Sequence, residues 1–248
     1  MKTKLKYLGN TYLFVDKAKI IDISSDEKGS YCLLDSTIFY PQGGGQASDV
    51  GFIEINHNKI NIKIKINFVG FVGDEVRHYF SLDDFDNLEI KDFINKDLML
   101  EVDKDIRMQN SKSHTAGHLV SLVCEDLGEL LAVKGYHFLD GSYIEFEGQK
   151  PTDTEDFIAK VNLSLKEFVD TNTDVISKIV TKEELKKLCK NPPINLPTDK
   201  PIRIMKFYKY DAIACGGTHL NSLKDLNSVI ITKIKSKKGR VKISYSFV

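Results

Sequence analysis

The chain has 248 residues, 42% of them hydrophobic and 28% charged, a balance that suits one large or two ordinary folded domains and argues against disorder. Thirty-five basic residues meet thirty-five acidic ones, so a nucleic-acid partner would have to be met by a local basic patch, not by the field of the whole protein. No apolar run approaches the roughly 20 residues that span a bilayer, no signal-peptide core follows Met1, and four scattered cysteines (Cys32, Cys124, Cys189, Cys215) point to free thiols in a reducing cytoplasm.

In chain order, residues 3 to about 80 carry short β-rich runs, "TYLFVDKAKIIDIS", "YCLLDSTIFY", "GFIEINHNKINIKIKINFVGFV" and "EVRHYF". Alternation in "KINIKIKINF" is nearly strict and sets an apolar face against a basic one, and several short strands at this spacing predict a small β-barrel. Within it, "PQGGGQ" holds Gly43, Gly44 and Gly45. These fit either a tight turn or a loop whose bare backbone approaches RNA phosphates, flanked by Gln42 and Gln46. His57, in a turn, and His78, on an alternating strand, read as surface or packing residues. The acidic stretch 81–97 reads as a connector, giving a β-barrel domain over residues 1–92 and a second domain over 93–248.

The second region changes rhythm. "LMLEVD" is a strand leading into a helix that starts near Asp103 or Asp105 and stops at Gly128, followed by β-like "LLAVKGYHFLD" and "GSYIEFEG". Residues 152–172 predict a helix with Thr and Asp at its start and Phe157, Ile158, Val161, Leu165 and Phe168 on one face. "VISKIV" is a strand, "TKEELKKLCK" a short helix, 191–201 a loop and "IRIMKFY" a strand. A terminal hairpin over 228–247 turns at Lys238 and Gly239. The class is α+β.

Two motifs carry chemistry. In "SHTAGHLV", His114 and His118 lie one helical turn apart and project from one face. In "CGGTH", Cys215 and His219 are four apart across Gly216 and Gly217, which can take φ > 0 and fold the backbone sharply. One Cys and three His form a ligand set suited to Zn2+. The two pairs lie far apart in sequence and join a helix to a loop, as in a site built in a cleft. The HExxH metalloprotease pattern fails because Thr115 follows His114. Whether the metal is structural or catalytic stays open. His137, in "KGYHFLD", falls near the expected site.

With both motifs in hand, "SHTAGHLV" and "CGGTHL" resemble the zinc motifs of the alanyl-tRNA synthetase editing domain and of its free-standing relatives, the AlaX proteins. "IRMQNSKSHTAGH", "GSYIEFEG", "VTKEELKK" and "IKSKKGRVKISY" are similar to further parts of that domain, and "DSTIFYPQGGGQASDVGFI" resembles the β-barrel preceding it in the medium-length AlaX form. The resemblance covers nearly the whole chain. It implies an N-terminal β-barrel followed by an α+β editing domain of the threonyl/alanyl-tRNA synthetase second-additional-domain type.

It also implies a zinc-containing aminoacyl-tRNA deacylase that serves translation fidelity by hydrolysing the ester of mischarged alanine tRNA, Ser-tRNA(Ala) and sometimes Gly-tRNA(Ala). A pocket shaped for alanine cannot strongly exclude serine or glycine, so such errors are removed at a second site. No ATP-binding motif is visible, so the protein would act in trans. The zinc ligands transfer to His114, His118, Cys215 and His219. Thr115 or Thr218 would place the attacking water, or else brace the helix and the turn. Where many relatives carry Gln or Thr in a strand lining the substrate pocket, this chain reads Ala132, Val133, Lys134, Gly135, so Tyr136 or His137 would take that role. Gly43, Gly44, Gly45 and Gln46 would shape the pocket or hold tRNA. For RNA contact the terminal hairpin gathers Lys233, Lys235, Lys237, Lys238, Arg240 and Lys242. A zinc-stabilised RNA-binding module without catalysis and a small-ester hydrolase on the same fold are the alternatives. Neither a membrane nor a protein partner is implied, and the chain would be a monomer or a dimer.

Overall fold

A computed structural model describes residues 2–57, 60–81, 90–192, 201–237 and 239–247. The chain divides into two compact units, Met1–Gly43 with Ala47–Gln109, and Gly44–Gln46 with Asn110–Val248. The class is α+β with sheet predominating.

In the first unit the strands are β1 (Lys4–Leu5), β2 (Val15–Asp26), β3 (Gly29–Leu34), β4 (Ser36–Thr37), β5 (Gly51–His57), β6 (Ile60–Ile66), β7 (Phe68–Val72), β8 (Glu75–Phe80) and β9 (Asp97–Val102). Seven of them form one antiparallel sheet in the order β6-β5-β9-β2-β3-β8-β7. The sheet is not the closed barrel expected: among the described residues no ladder joins β6 to β7. Only Asn67 separates these two strands, too little chain for a hairpin turn, so the two edges run on from one another instead of pairing.

The period-2 pattern buries Ile53 and Ile55 of β5, Ile62, Ile64 and Ile66 of β6, and Leu98, Leu100 and Val102 of β9 against Leu34 and Phe39, while Lys63 and Lys65 stay outside. His78 is buried with its Nε2 2.8 Å from Thr37 Oγ1, a packing role. The side chain of His57 lies outside the described residues.

Two stretches expected to be strand are not. Residues 11–14 turn, with Tyr12 N donating to Asn10 Oδ1, and residues 38–40 leave the ladder. Their backbone groups serve a buried ion pair instead. Arg107 and Asp49 are both fully buried and paired through Nη2, with Nε 2.9 Å from both carboxylate oxygens. Arg107 also donates to Thr11 O at 2.7 Å and Ile38 O at 2.5 Å, and Tyr40 N donates to Asp49.

The second unit follows the helix α1 (Lys104–Leu127) with β10 (Leu130–Tyr136), β11 (Tyr143–Gly148), α2 (Thr154–Asp170), β12 (Val175–Val180), α3 (Lys182–Leu188), β13 (Ile202–Phe207), β14 (Ile213–Ala214), β15 (Val229–Lys237) and β16 (Arg240–Phe247). A four-stranded antiparallel sheet runs β10-β11-β16-β15, and a three-stranded one runs β12-β13-β14. α2 begins at the Asp153 cap, which accepts from Asp156 N, and buries Phe157, Val161, Leu165 and Phe168. Its Asn162 makes two hydrogen bonds to the backbone of Ile231, where the β15–β16 register shifts. α3 starts at a capping box of Thr181 and Glu184. Most of the loop expected over 191–201 and the expected turn residue Lys238 lie outside the described residues. Among the described residues no helix is long and apolar enough to cross a membrane.

Candidate metal centre

One turn of α1 brings the rings of His114 and His118 into a stack with centroids 4.9 Å apart. The other two residues come from the loop after β14. Cys215 N donates to Arg203 O at 2.9 Å, while the buried Arg203 guanidinium donates to Cys215 O at 3.0 Å and to Gly217 O. Gly216 and Gly217 were expected to use φ > 0, and neither does. The need for glycine at 217 is one of space, because a Cβ there would fall inside contact distance of the His114 ring and 2.9 Å from Gln46 Oε1.

The result is one point of convergence. From Cys215 Sγ, the Nε2 atoms of His114, His118 and His219 lie at 3.5, 3.3 and 3.2 Å, and all four donor atoms fall within 4.8 Å of one another. Bond lengths of about 2.3 Å to sulfur and 2.0 Å to nitrogen at a tetrahedral centre put sulfur and nitrogen about 3.5 Å apart. The group could therefore hold a metal ion, and its donor set of one thiol and three imidazoles fits a borderline-soft cation. Burial keeps the imidazoles neutral, the form that binds metal: His118 is pushed down to about 3, and desolvation with the neighbouring rings and Arg203 holds His114 and His219 well below the usual value. Burial raises the Cys215 thiol, and Arg203 partly offsets this.

Behind the ligands stands a buried polar layer. Thr115 Oγ donates to Ser111 O and lies 3.2 Å from His219 Nδ1, and it accepts from Leu220 N. Thr218 Oγ accepts from Ser111 Oγ at 2.7 Å and from Gln46 Nε2 at 2.8 Å. Both threonines are completely buried. Their hydroxyls bond within α1 and the CGGTH turn, the bracing arrangement weighed beside a water-placing role. Gln46, expected at substrate, is also fully buried, against His114 and Thr218.

A cavity of about 610 Å³ opens beside this group, with Gly117, His118, Lys134, His137, Lys209 and Tyr210 among its walls. His137 stacks 4.6 Å from His114, and its Nδ1 is 2.7 Å from the Tyr245 hydroxyl, which donates to Ser113 O at 2.9 Å. Tyr136, the other residue considered there, stacks on Phe138 and Tyr143 instead.

No family model matches the chain. It is 30% identical over 93% of its length to the alanyl-tRNA editing protein AlaX-L of Pyrococcus horikoshii. To AlaX-M of Saccharolobus solfataricus it is 27% identical over 98% of both chains. The chain is a homologue of the alanyl-tRNA editing proteins. It also matches the alanine–tRNA ligase of Methanobrevibacter smithii, at 27% identity over 88% of its own length. The chain spans 24% of that ligase and 54% of AlaX-L, but nearly the whole of AlaX-M.

On the terminal hairpin, Lys235 and Lys237 are exposed. Arg240, expected beside them, reaches Glu145 at 3.5 Å and Glu147 at 3.9 Å, so acidic neighbours share its charge. Lys242 sits over the Tyr143 ring, and Lys238 lies outside the described residues. The sequence reading missed the Asp49–Arg107 pair, Arg203 and the bonds that Ser111 and Gln46 make to Thr218. These join positions 12 to 172 residues apart, for which no spacing gives a signal.

Proposed function

We propose that this chain is a trans-acting aminoacyl-tRNA deacylase that hydrolyses the ester of mischarged alanine tRNA, Ser-tRNA(Ala) first and Gly-tRNA(Ala) second. The observation that carries this reading is a roomy cavity sharing His118 with a four-ligand group, in a chain homologous to editing proteins. His114, His118, Cys215 and His219 would hold Zn2+, which would tie α1 to the CGGTH loop and set the charge of the cavity wall.

The chain's own residues do the rest. The single proton of the Tyr245 hydroxyl goes to Ser113 O, so His137 carries its proton on Nδ1 and keeps Nε2 as an acceptor. His137 is in the cavity wall, where that acceptor would hold a donor of the aminoacyl end: the serine hydroxyl, the ammonium group or the attacking water. A site that hydrogen-bonds a hydroxyl discriminates strongly against an analogue lacking it, and alanine lacks it. Lys134 and Lys209 at the cavity, with the exposed Lys235 and Lys237 on the hairpin, would supply cations for tRNA phosphates.

The test is deacylation of Ser-, Gly- and Ala-tRNA(Ala) side by side. Serine release should outpace alanine release at least about tenfold, and His137→Ala should lower kcat/KM for Ser-tRNA(Ala) about 100-fold with the fold intact. A folded, zinc-loaded protein that binds this tRNA and leaves every ester intact would refute the proposal.

A further inference from the structure

We propose that Gln46, delivered by the glycine turn that precedes it, is a positioning residue: it decides which nitrogen of His114 is offered to the metal. The assignment rests on reading His114, His118, Cys215 and His219 as a ligand set. Gln46 Oε1 lies 3.0 Å from Thr218 N and 2.6 Å from His114 Nδ1, and Gln46 Nε2 lies 2.8 Å from Thr218 Oγ. A backbone N–H only donates, so the amide oxygen must face Thr218 N. The same oxygen can only accept from His114, so His114 is protonated at Nδ1. Its lone pair is then left on Nε2, the atom that faces Cys215 Sγ.

The one side chain thus performs two tasks: it fixes the ring of a ligand on α1 and pins the CGGTH loop at Thr218. The glycine turn exists to deliver it. Gly44 and Gly45 both have positive φ, 54° and 77°. A Cβ on Gly45 would collide with Gly135 O, and Gly45 O accepts from His137 N at 2.8 Å. The backbone of this turn is therefore spent on packing against β10 and the residue after it, and the amide that follows is completely buried. Partners that orient metal-bound imidazoles are worth about 10- to 100-fold in metal affinity.

Zinc affinity of the full chain, measured by competition with a chromophoric chelator, tests this, together with long-range 1H–15N correlation of the His114 ring in zinc-free protein. Wild type should show His114 protonated at Nδ1. Gln46→Leu should bind zinc about 10- to 100-fold more weakly and show a mixture of His114 tautomers, and Gln46→Glu, which keeps an acceptor facing Nδ1, should recover most of the affinity. Equal affinity of wild type and Gln46→Leu would overturn this assignment alone. Failure of wild type to bind zinc would overturn the ligand set and the assignment with it. Should Gln46→Leu not fold, a wild-type His114 protonated at Nε2 would still overturn the proposal.

Discussion

Asp49→Ala should cost about 3–5 kcal/mol of stability, because it removes the carboxylate that pairs with the buried Arg107 guanidinium. Thr11 O and Ile38 O would still accept from Arg107, but neutral carbonyls do not balance a full charge in an interior of low dielectric. Tyr40 N would lose its acceptor as well. The companion variant makes the cause visible. Removing both charges, as Asp49→Ala with Arg107→Met, should cost clearly less than Asp49→Ala alone, since the penalty belongs to the stranded charge and not to the missing bond. Urea unfolding of the three proteins, followed by circular dichroism, checks both statements. A loss under about 1 kcal/mol for Asp49→Ala would show that Arg107 finds solvent or another anion.

The second large effect is expected from withdrawing zinc. Three neutral imidazoles and a half-buried thiol with their donor atoms within 4.8 Å of each other gain little from one another without a cation between them. A ligand that binds only the folded state stabilises it by about 4 kcal/mol when present at 1,000 times its dissociation constant. Saturating a chelator-treated sample with zinc should therefore raise its melting temperature by several degrees, in proportion to the logarithm of free zinc. Cys215→Ala should melt at one temperature with or without zinc. A chelated wild type that melts where the loaded protein does would mean that the four groups hold no metal that matters to folding.

How much of this was legible from the amino-acid order follows from the range of the forces involved. β5 and β6 were readable because one face is buried and the pleat repeats every two residues, so Ile53, Ile55, Ile62, Ile64 and Ile66 alternate with charged or polar neighbours. α2 was readable from its cap and its apolar stripe. The ligand pairs were readable because four residues is one turn of α1 and one short loop. Closure of the first sheet was not, since whether β6 pairs with β7 depends on the single residue between them. Residues 11–14 and 38–40 look like strand by composition and are not, because Arg107, far away in sequence, and its partner Asp49 claim groups of their backbone. Thr115 and Thr218 were read as placing water or as bracing the helix and the turn, and their buried hydroxyls bond Ser111, Leu220 and Gln46. Gln46 was read as shaping the substrate pocket or holding tRNA, and it lies buried beside His114, 68 residues along the chain.

Convergence of His114, His118, Cys215 and His219 on one cation is tested most directly by counting metal. Elemental analysis of intact protein, purified without chelator or affinity metal, should find one zinc per chain, and Cys215→Ala and His114→Ala, shown to be folded, should retain almost none. Wild type free of any transition metal, or either variant with a full equivalent still bound, would contradict the account.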